Sequence, residues 1–181
     1  GNSTSAWPHL LKATLGVPLT VIEGFKGTSD VRLAAEAGEE DAACWGWDSI
    51  KVTWAKGLET GFVRPLVQTT LEPLPDLPNV PVAIQQAKTK EDQALLRLAA
   101  QAYGPASIAY SVPPGLAKDR LRTLQTAFMA TMKDADFLAE AKKSNLVVSP
   151  LDGPTIEQTV AELYRAEPKL IERFRDVIEV S

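Results

Sequence analysis

The sequence predicts an α/β fold, a sheet with parallel crossovers, on three observations. Helix-patterned and strand-patterned segments alternate over the first fifty residues, in the order helix, strand, helix, strand. Val17-Pro18-Leu19-Thr20-Val21-Ile22 is β-branched and apolar enough for a buried strand. The turn after it, Gly24 to Asp30, leads directly into a second helix, as the ligand-lining turns of open α/β sheets do.

The first helix is announced by Asn2-Ser3-Thr4-Ser5, four residues of helix-capping type, and Pro8 reads as a first-turn proline. Leu10, Leu11, Ala13, Thr14 and Leu15 supply its apolar positions, and Gly16 ends it. After the Val17–Ile22 run, Gly24-Phe25-Lys26-Gly27-Thr28-Ser29-Asp30 turns the chain and caps a helix over Val31 to Ala37, stopped by Gly38. Asp41 to Trp47 reads as a short strand, Trp47 to Lys56 as helical, and Gly57 to Gly61 as a loop. Phe62 to Gln68 is another strand, which Pro65 demotes toward an edge.

Leu71 to Pro81 holds Pro73, Pro75, Pro78 and Pro81 with Leu74, Leu77 and Val80 between them. That alternation makes it an extended surface segment rather than a linker. Thr89-Lys90-Glu91-Asp92 caps a helix carrying Ala94, Leu95, Leu98 and Ala99. Ser107 to Val112 is strand-like and ends at Pro113-Pro114-Gly115. Lys118 to Met132 is amphipathic, with Leu121, Leu124, Phe128 and Met132 on one face. A shorter helix spans Asp134 to Lys143, Asn145 to Pro150 is extended, and Thr155-x-x-Gln158 resembles a capping box opening a helix broken near Pro168. From residue 113 onward nearly everything reads as helix.

Composition narrows the functional classes. The 181 residues are 45% hydrophobic and 23% charged, with a formal net charge of -4, so the chain is long enough to bury a core. Residues 1–103 carry 9 basic and 12 acidic side chains and the remainder 10 and 11, an even balance that gives no footprint for nucleic acid. No apolar run approaches the roughly 20 residues that span a bilayer. Cys44 is the lone cysteine and His9 the lone histidine, too few for a disulfide framework or a zinc site of soft ligands. Gly1 is not an initiator Met, and the start reads as a cut through a longer protein.

Candidate chemistry begins at the head of the chain. Ser3, Thr4 and Ser5 place hydroxyls and free backbone N–H groups at the positive end of a helix dipole, which favours an anion. The alternative is a plain N-cap. The Gly24–Ser29 turn repeats the arrangement, and neither has the glycine spacing of a phosphate loop or dinucleotide fingerprint. His9 reads either as an ordinary helix histidine or as the base of a small hydrolase or transferase with Ser3 or Ser5. Cys44, in an apolar run, reads as a small buried hydrophobe. Strand alternation would send Trp45 and Trp47 to one face, where an indole fills the core or stacks on a ligand, with Trp54 close in sequence. Glu36, Glu39, Glu40 and Asp41 read as a solvated face.

The order of these motifs resembles that of the extracytoplasmic solute receptors of the tripartite tricarboxylate transporter family. The residues concerned are Ser3-Thr4, Pro8-His9-Leu10, Gly24-Phe25-Lys26-Gly27, and Leu33 with Gly38-Glu39 and Asp41. Leu74-Pro75-Asp76-Leu77-Pro78-Asn79-Val80-Pro81, Val112-Pro113-Pro114-Gly115 and Thr131-Met132-Lys133-Asp134-Ala135-Asp136-Phe137 continue the likeness along the whole chain. Phe25 stands where those receptors usually carry Tyr.

The resemblance implies a periplasmic-binding-protein-like Venus flytrap that lacks roughly its first hundred or more residues, with the signal peptide lost among them. Residues 1–105 would be its second α/β domain, and 106–181 the crossover return and helical C-terminal part of the first. The implied function is a periplasmic receptor without catalysis, metal or cofactor. It would capture a small organic acid and deliver it to the membrane permease subunits without itself spanning the membrane. Ser3, Thr4 and Ser5 and the turn at Phe25, Lys26 and Gly27 would line the ligand, and Trp45 and Trp47, which are not the family's usual residues, are read from their alternation as further ligand-lining candidates. A periplasmic sensor of the same fold is the related alternative.

Overall fold

The computed structural model describes residues 3–105, 108–144 and 146–179. Asn2 of the expected cap cluster, and Ser107 and Asn145, which open two expected extended runs, lie outside the described residues. The expected α/β Venus flytrap does not form: helix makes up 56% and strand 1%, and no sheet is present among the described residues. Gln68 and Val82 form an isolated parallel bridge.

Two features explain why the expected strands do not pair. Two of the runs carry a proline, Pro18 and Pro65, and each proline removes a ladder donor. The apolar faces best able to cover one another belong to helices, which take the interior first. The would-be strands remain single extended segments, and Ile22 (54%), Leu66 (63%) and Leu146 (66%) stay exposed.

The chain divides into two compact units, Gly1–Tyr103 with Ala166–Ser181, and Gly104–Arg165. In the first, α1 (Ser3–Leu15) carries Ala6, Trp7, Leu10, Leu11 and Thr14 on one buried face, a helical 3–4 spacing. The helix starts early enough that Pro8 lies inside it, and the missing N–H leaves the Thr4 carbonyl without its usual i+4 donor. Gly16, at φ 66°, ends α1 in the left-handed region as expected.

Next come α2 (Thr28–Glu36), α3 (Trp47–Thr53), α4 (Ala55–Glu59) and the single turn α5 (Ala83–Gln86). They are followed by α6 (Lys90–Tyr103), whose Leu95, Leu96, Leu98, Ala99 and Ala100 are buried. Thr89 caps α6: its hydroxyl accepts from the Asp92 N–H (3.0 Å) and donates to the Asp92 carboxylate (2.6 Å). The last helix of the chain, Pro168–Ile178, begins at the proline expected to break one. It packs Leu170, Phe174, Val177 and Ile178 on the same interior. Its Arg173 donates to Asp92 (2.6 Å) and pairs with Glu91 (3.3 Å). Trp7, Tyr103 and Phe174 continue the interior as a chain of tilted rings. Burying a leucine such as Leu95 or Leu96 contributes roughly 1.5–3 kcal/mol.

Gln68 organises the Pro-rich segment from inside. Its side-chain amide donates to the carbonyls of Leu77 (2.9 Å) and Val80 (2.7 Å), and its oxygen accepts from the Leu74 N–H (2.8 Å). Its backbone exchanges hydrogen bonds with Pro81 and Ala83, both 2.8 Å. Gln68 is therefore buried with its polar atoms satisfied.

The second unit holds α7 (Lys118–Thr131), α8 (Ala135–Lys143) and α9 (Gly153–Tyr164). Asp134 caps α8 by accepting from the Phe137 N–H (2.9 Å). Asp152, rather than the expected Thr155, caps α9, accepting from the Thr155 N–H (2.9 Å). Tyr110 tilts against Phe128 of α7 (5.6 Å). Ala141 is the buried hydrophobic residue among the unit's described residues, and the α7 positions Leu124 and Phe128 stay exposed.

Candidate functional site

The first turn of α1 gathers Ser3, Thr4 and Ser5, all half-buried. Ser5 and His9 are four residues apart and share a face of the helix. A carboxylate lies against that face, from Glu23, the residue before the Gly24 turn. The Ser5 hydroxyl donates to Glu23 Oε1, and His9 Nε2 stands 3.5 Å from the same oxygen. His9 is largely buried, and its Nε2 has no hydrogen-bond partner among the described residues. The Ser5 hydrogen bond holds the Glu23 carboxyl below its ordinary range against the opposing effect of burial, with His9 adding to the lowering.

The Ser5–Glu23 contact joins two segments that the sequence marked separately. Glu23 precedes Gly24, so the start of the Phe25-Lys26-Gly27 turn is tied to the head of α1. Gly24 takes φ 98°, in the left-handed region. Gly27 precedes α2 with an extended backbone, and its carbonyl accepts from the N–H groups of Asp30 (3.1 Å) and Val31 (3.3 Å). Phe25 and Lys26 are exposed.

Trp45 and Trp47 part company because α3 begins at Trp47 and ends the strand-like alternation there. Trp45 stacks on Trp54, centroids 5.4 Å apart and planes 10° apart, with its ring nitrogen buried and unpartnered among the described residues. Trp47 donates to Asp76 (3.2 Å), which also takes Lys51 (2.7 Å). Lys51 in turn pairs with Asp48 (3.1 Å). The Lys51 hydrogen bond, with that of Trp47 behind it, holds Asp76 below its ordinary carboxylate range. Asp76 in turn pushes Lys51 up, with Asp48 contributing. Trp47 thus ties α3 to the Pro-rich segment, while Trp45 backs another indole.

The order of groups at α1 bears on its chemistry. A nucleophilic serine needs an imidazole at its hydroxyl and an acid behind the imidazole. Here the carboxylate stands between Ser5 and His9 and itself accepts the hydroxyl's hydrogen bond. That arrangement holds a carboxylate; it does not activate a serine. Among the described residues no three metal-ligating side chains converge, and no helix is long and apolar enough to cross a membrane.

Glu23 was not singled out in the sequence, although it directly precedes the glycine turn. Its partner is eighteen residues away, and no local periodicity couples the two. Comparison of the chain with known protein families, curated proteins and solved structures returns no match.

Proposed function

We propose that this chain is a solute receptor that binds a small organic carboxylate outside the cytoplasm. It would hand the ligand to the membrane permease subunits of a tripartite tricarboxylate-type transporter. The observation that carries the reading is the carboxylate already seated at the head of α1, between the Ser5 hydroxyl and the His9 imidazole. Its support in sequence is the order of motifs shared with that receptor family, in which hydroxyl-rich helix starts take the ligand's acid group.

Glu23 acts here as a tethered stand-in. It is half exposed, so an incoming carboxylate displaces it toward solvent at small cost. The newcomer inherits the Ser5 donor, and His9 supplies a second donor from Nε2. Binding is then a competition between an internal and an external acid for one hydroxyl.

That competition sets the test. In thermal-shift titrations with succinate, citrate and lactate, at least one acid raises the melting temperature of the wild-type chain. Glu23→Gln removes the competing charge and lowers the concentration needed, and Ser5→Ala raises it. A chain whose melting temperature none of these acids moves, in wild type and Glu23→Gln alike, refutes the reading.

A further inference from the structure

We propose a second ligand site, for a planar aromatic monocarboxylate, in a cleft between α2 and the α3–α4 corner. The cleft is a solvent-open groove of about 450 Å3, within the size range of small-molecule sites, and shares no residue with the α1 cluster. Its lining combines Trp54 and Phe62 with the cations Arg32 and Lys56 and the single acid Glu36.

The aromatic wall is held in place from behind. Trp45 stacks flat on Trp54 and fixes its plane, and Phe62 tilts at 60° to Trp54 with centroids 6.2 Å apart. Gly57, buried in α4, leaves room for this packing. A Cβ there would come within 2.9 Å of the Trp54 ring and 2.7 Å of a Val63 methyl. Phe62 is nonetheless 61% exposed, an apolar ring left facing solvent at the edge of the cleft.

The charges are out of balance. Arg32 is anchored through Nη1 to the Thr53 carbonyl (2.6 Å), but its Nε is buried with no hydrogen-bond partner among the described residues. The nearest acid oxygen, on Glu36, is 3.7 Å from Nε, too far for a hydrogen bond. Among the described residues no carboxylate lies within ion-pair distance of Lys56. Two cations against one acid leave a place for a single negative charge, which the guanidinium of Arg32 and the Lys56 amine meet from the lining. A ring fits Trp54 and Phe62, a carboxylate fits Arg32 and Lys56, and a second carboxylate would meet Glu36. Together these select an aromatic acid with one carboxylate over a diacid.

Calorimetric titration of the full chain with benzoate, cyclohexanecarboxylate, benzamide and phthalate tests this. Benzoate binds about tenfold or more tightly than each of the other three, because each lacks the ring face, lacks the charge, or brings a second charge. Arg32→Gln weakens benzoate by about tenfold or more, and Glu36→Gln admits phthalate. Phe62→Ala and Lys56→Gln alter exposed side chains, so they weaken benzoate without changing the circular-dichroism melt, which keeps the test sound should Arg32→Gln unfold. Equal affinity for benzoate and cyclohexanecarboxylate, no binding at millimolar benzoate, or wild-type affinity in both Phe62→Ala and Lys56→Gln overturns the proposal.

Discussion

Replacing Gln68 by Met removes the centre of the Pro-rich segment while keeping a side chain of nearly the same length. Three hydrogen bonds disappear, to the carbonyls of Leu77 and Val80 and from the Leu74 N–H. At about 1 kcal/mol each they sum to about 3 kcal/mol, and the added apolar burial of Met returns less than about 1. The net loss of about 2–3 kcal/mol lowers the melting temperature by roughly 4–12 °C in a chain of this length. Gln68→Glu sharpens the test. It keeps the acceptor for Leu74 but turns a second oxygen toward two carbonyls, so the buried acid favours its protonated form. Its folded pKa is then raised, and the variant loses stability as pH rises above about 4.3. All four tryptophans lie in the first unit, so their fluorescence during urea and thermal unfolding follows that unit. A Gln68→Met protein melting within about 1 °C of wild type would mean that the segment is held by something other than this side chain.

Cys44 packs against the hydrophobic interior, and burial pushes its thiol up to about 11 from an ordinary 9.0. Iodoacetamide at pH 8 labels it slowly in the native chain and rapidly in urea, and stability falls as pH rises from about 9 toward 11 because the unfolded thiol ionises first. Equal labelling rates in both states contradict that burial. Hydrogen exchange separates the two units: the amides of α1, α6 and the final helix are protected, and those of α7 to α9 exchange quickly, for want of a buried core among their described residues. Protection of α7 equal to that of α6 would show that its apolar face is covered.

Local signals placed most helices. The cap at Thr89, the glycine stop at Gly16 and the 3–4 spacing of α1 and α6 depend on residues within one or two turns, and all were visible. The cap of α9 differs from the expected one: Asp152, not Thr155, serves it, accepting from the Thr155 N–H in the first turn. The sheet was not legible for the opposite reason. β-branched alternation specifies that a segment is extended, and Val17–Ile22 is free of helix, yet a strand also needs a partner whose ladder it completes. That partner lies outside the segment's own pattern. With prolines deleting donors at 18 and 65, the energy of pairing falls short of what helix-on-helix burial supplies.

The candidate site divides along the same line. Ser5 was readable because hydroxyls before a helix are a local device, and the turn at Phe25, Lys26 and Gly27 because glycine marks it. Glu23 was not, since nothing between residues 5 and 23 fixes the distance across which the hydroxyl and carboxylate meet. The pairing of Trp45 with Trp54 was hidden likewise, because alternation predicts a face and the onset of α3 at Trp47 changes it. A helix start that attracts acid groups attracts the chain's own acid as readily as a ligand's. On the proposed carboxylate-receptor reading, the contact with Glu23 sets the affinity of the site as much as Ser5 does, and a substitution there, rather than at the hydroxyls, moves binding upward. On the proposed reading an external carboxylate wins by offering a second interaction that the tethered glutamate lacks, and His9 Nε2, without a hydrogen-bond partner among the described residues, is the group at the site that provides it.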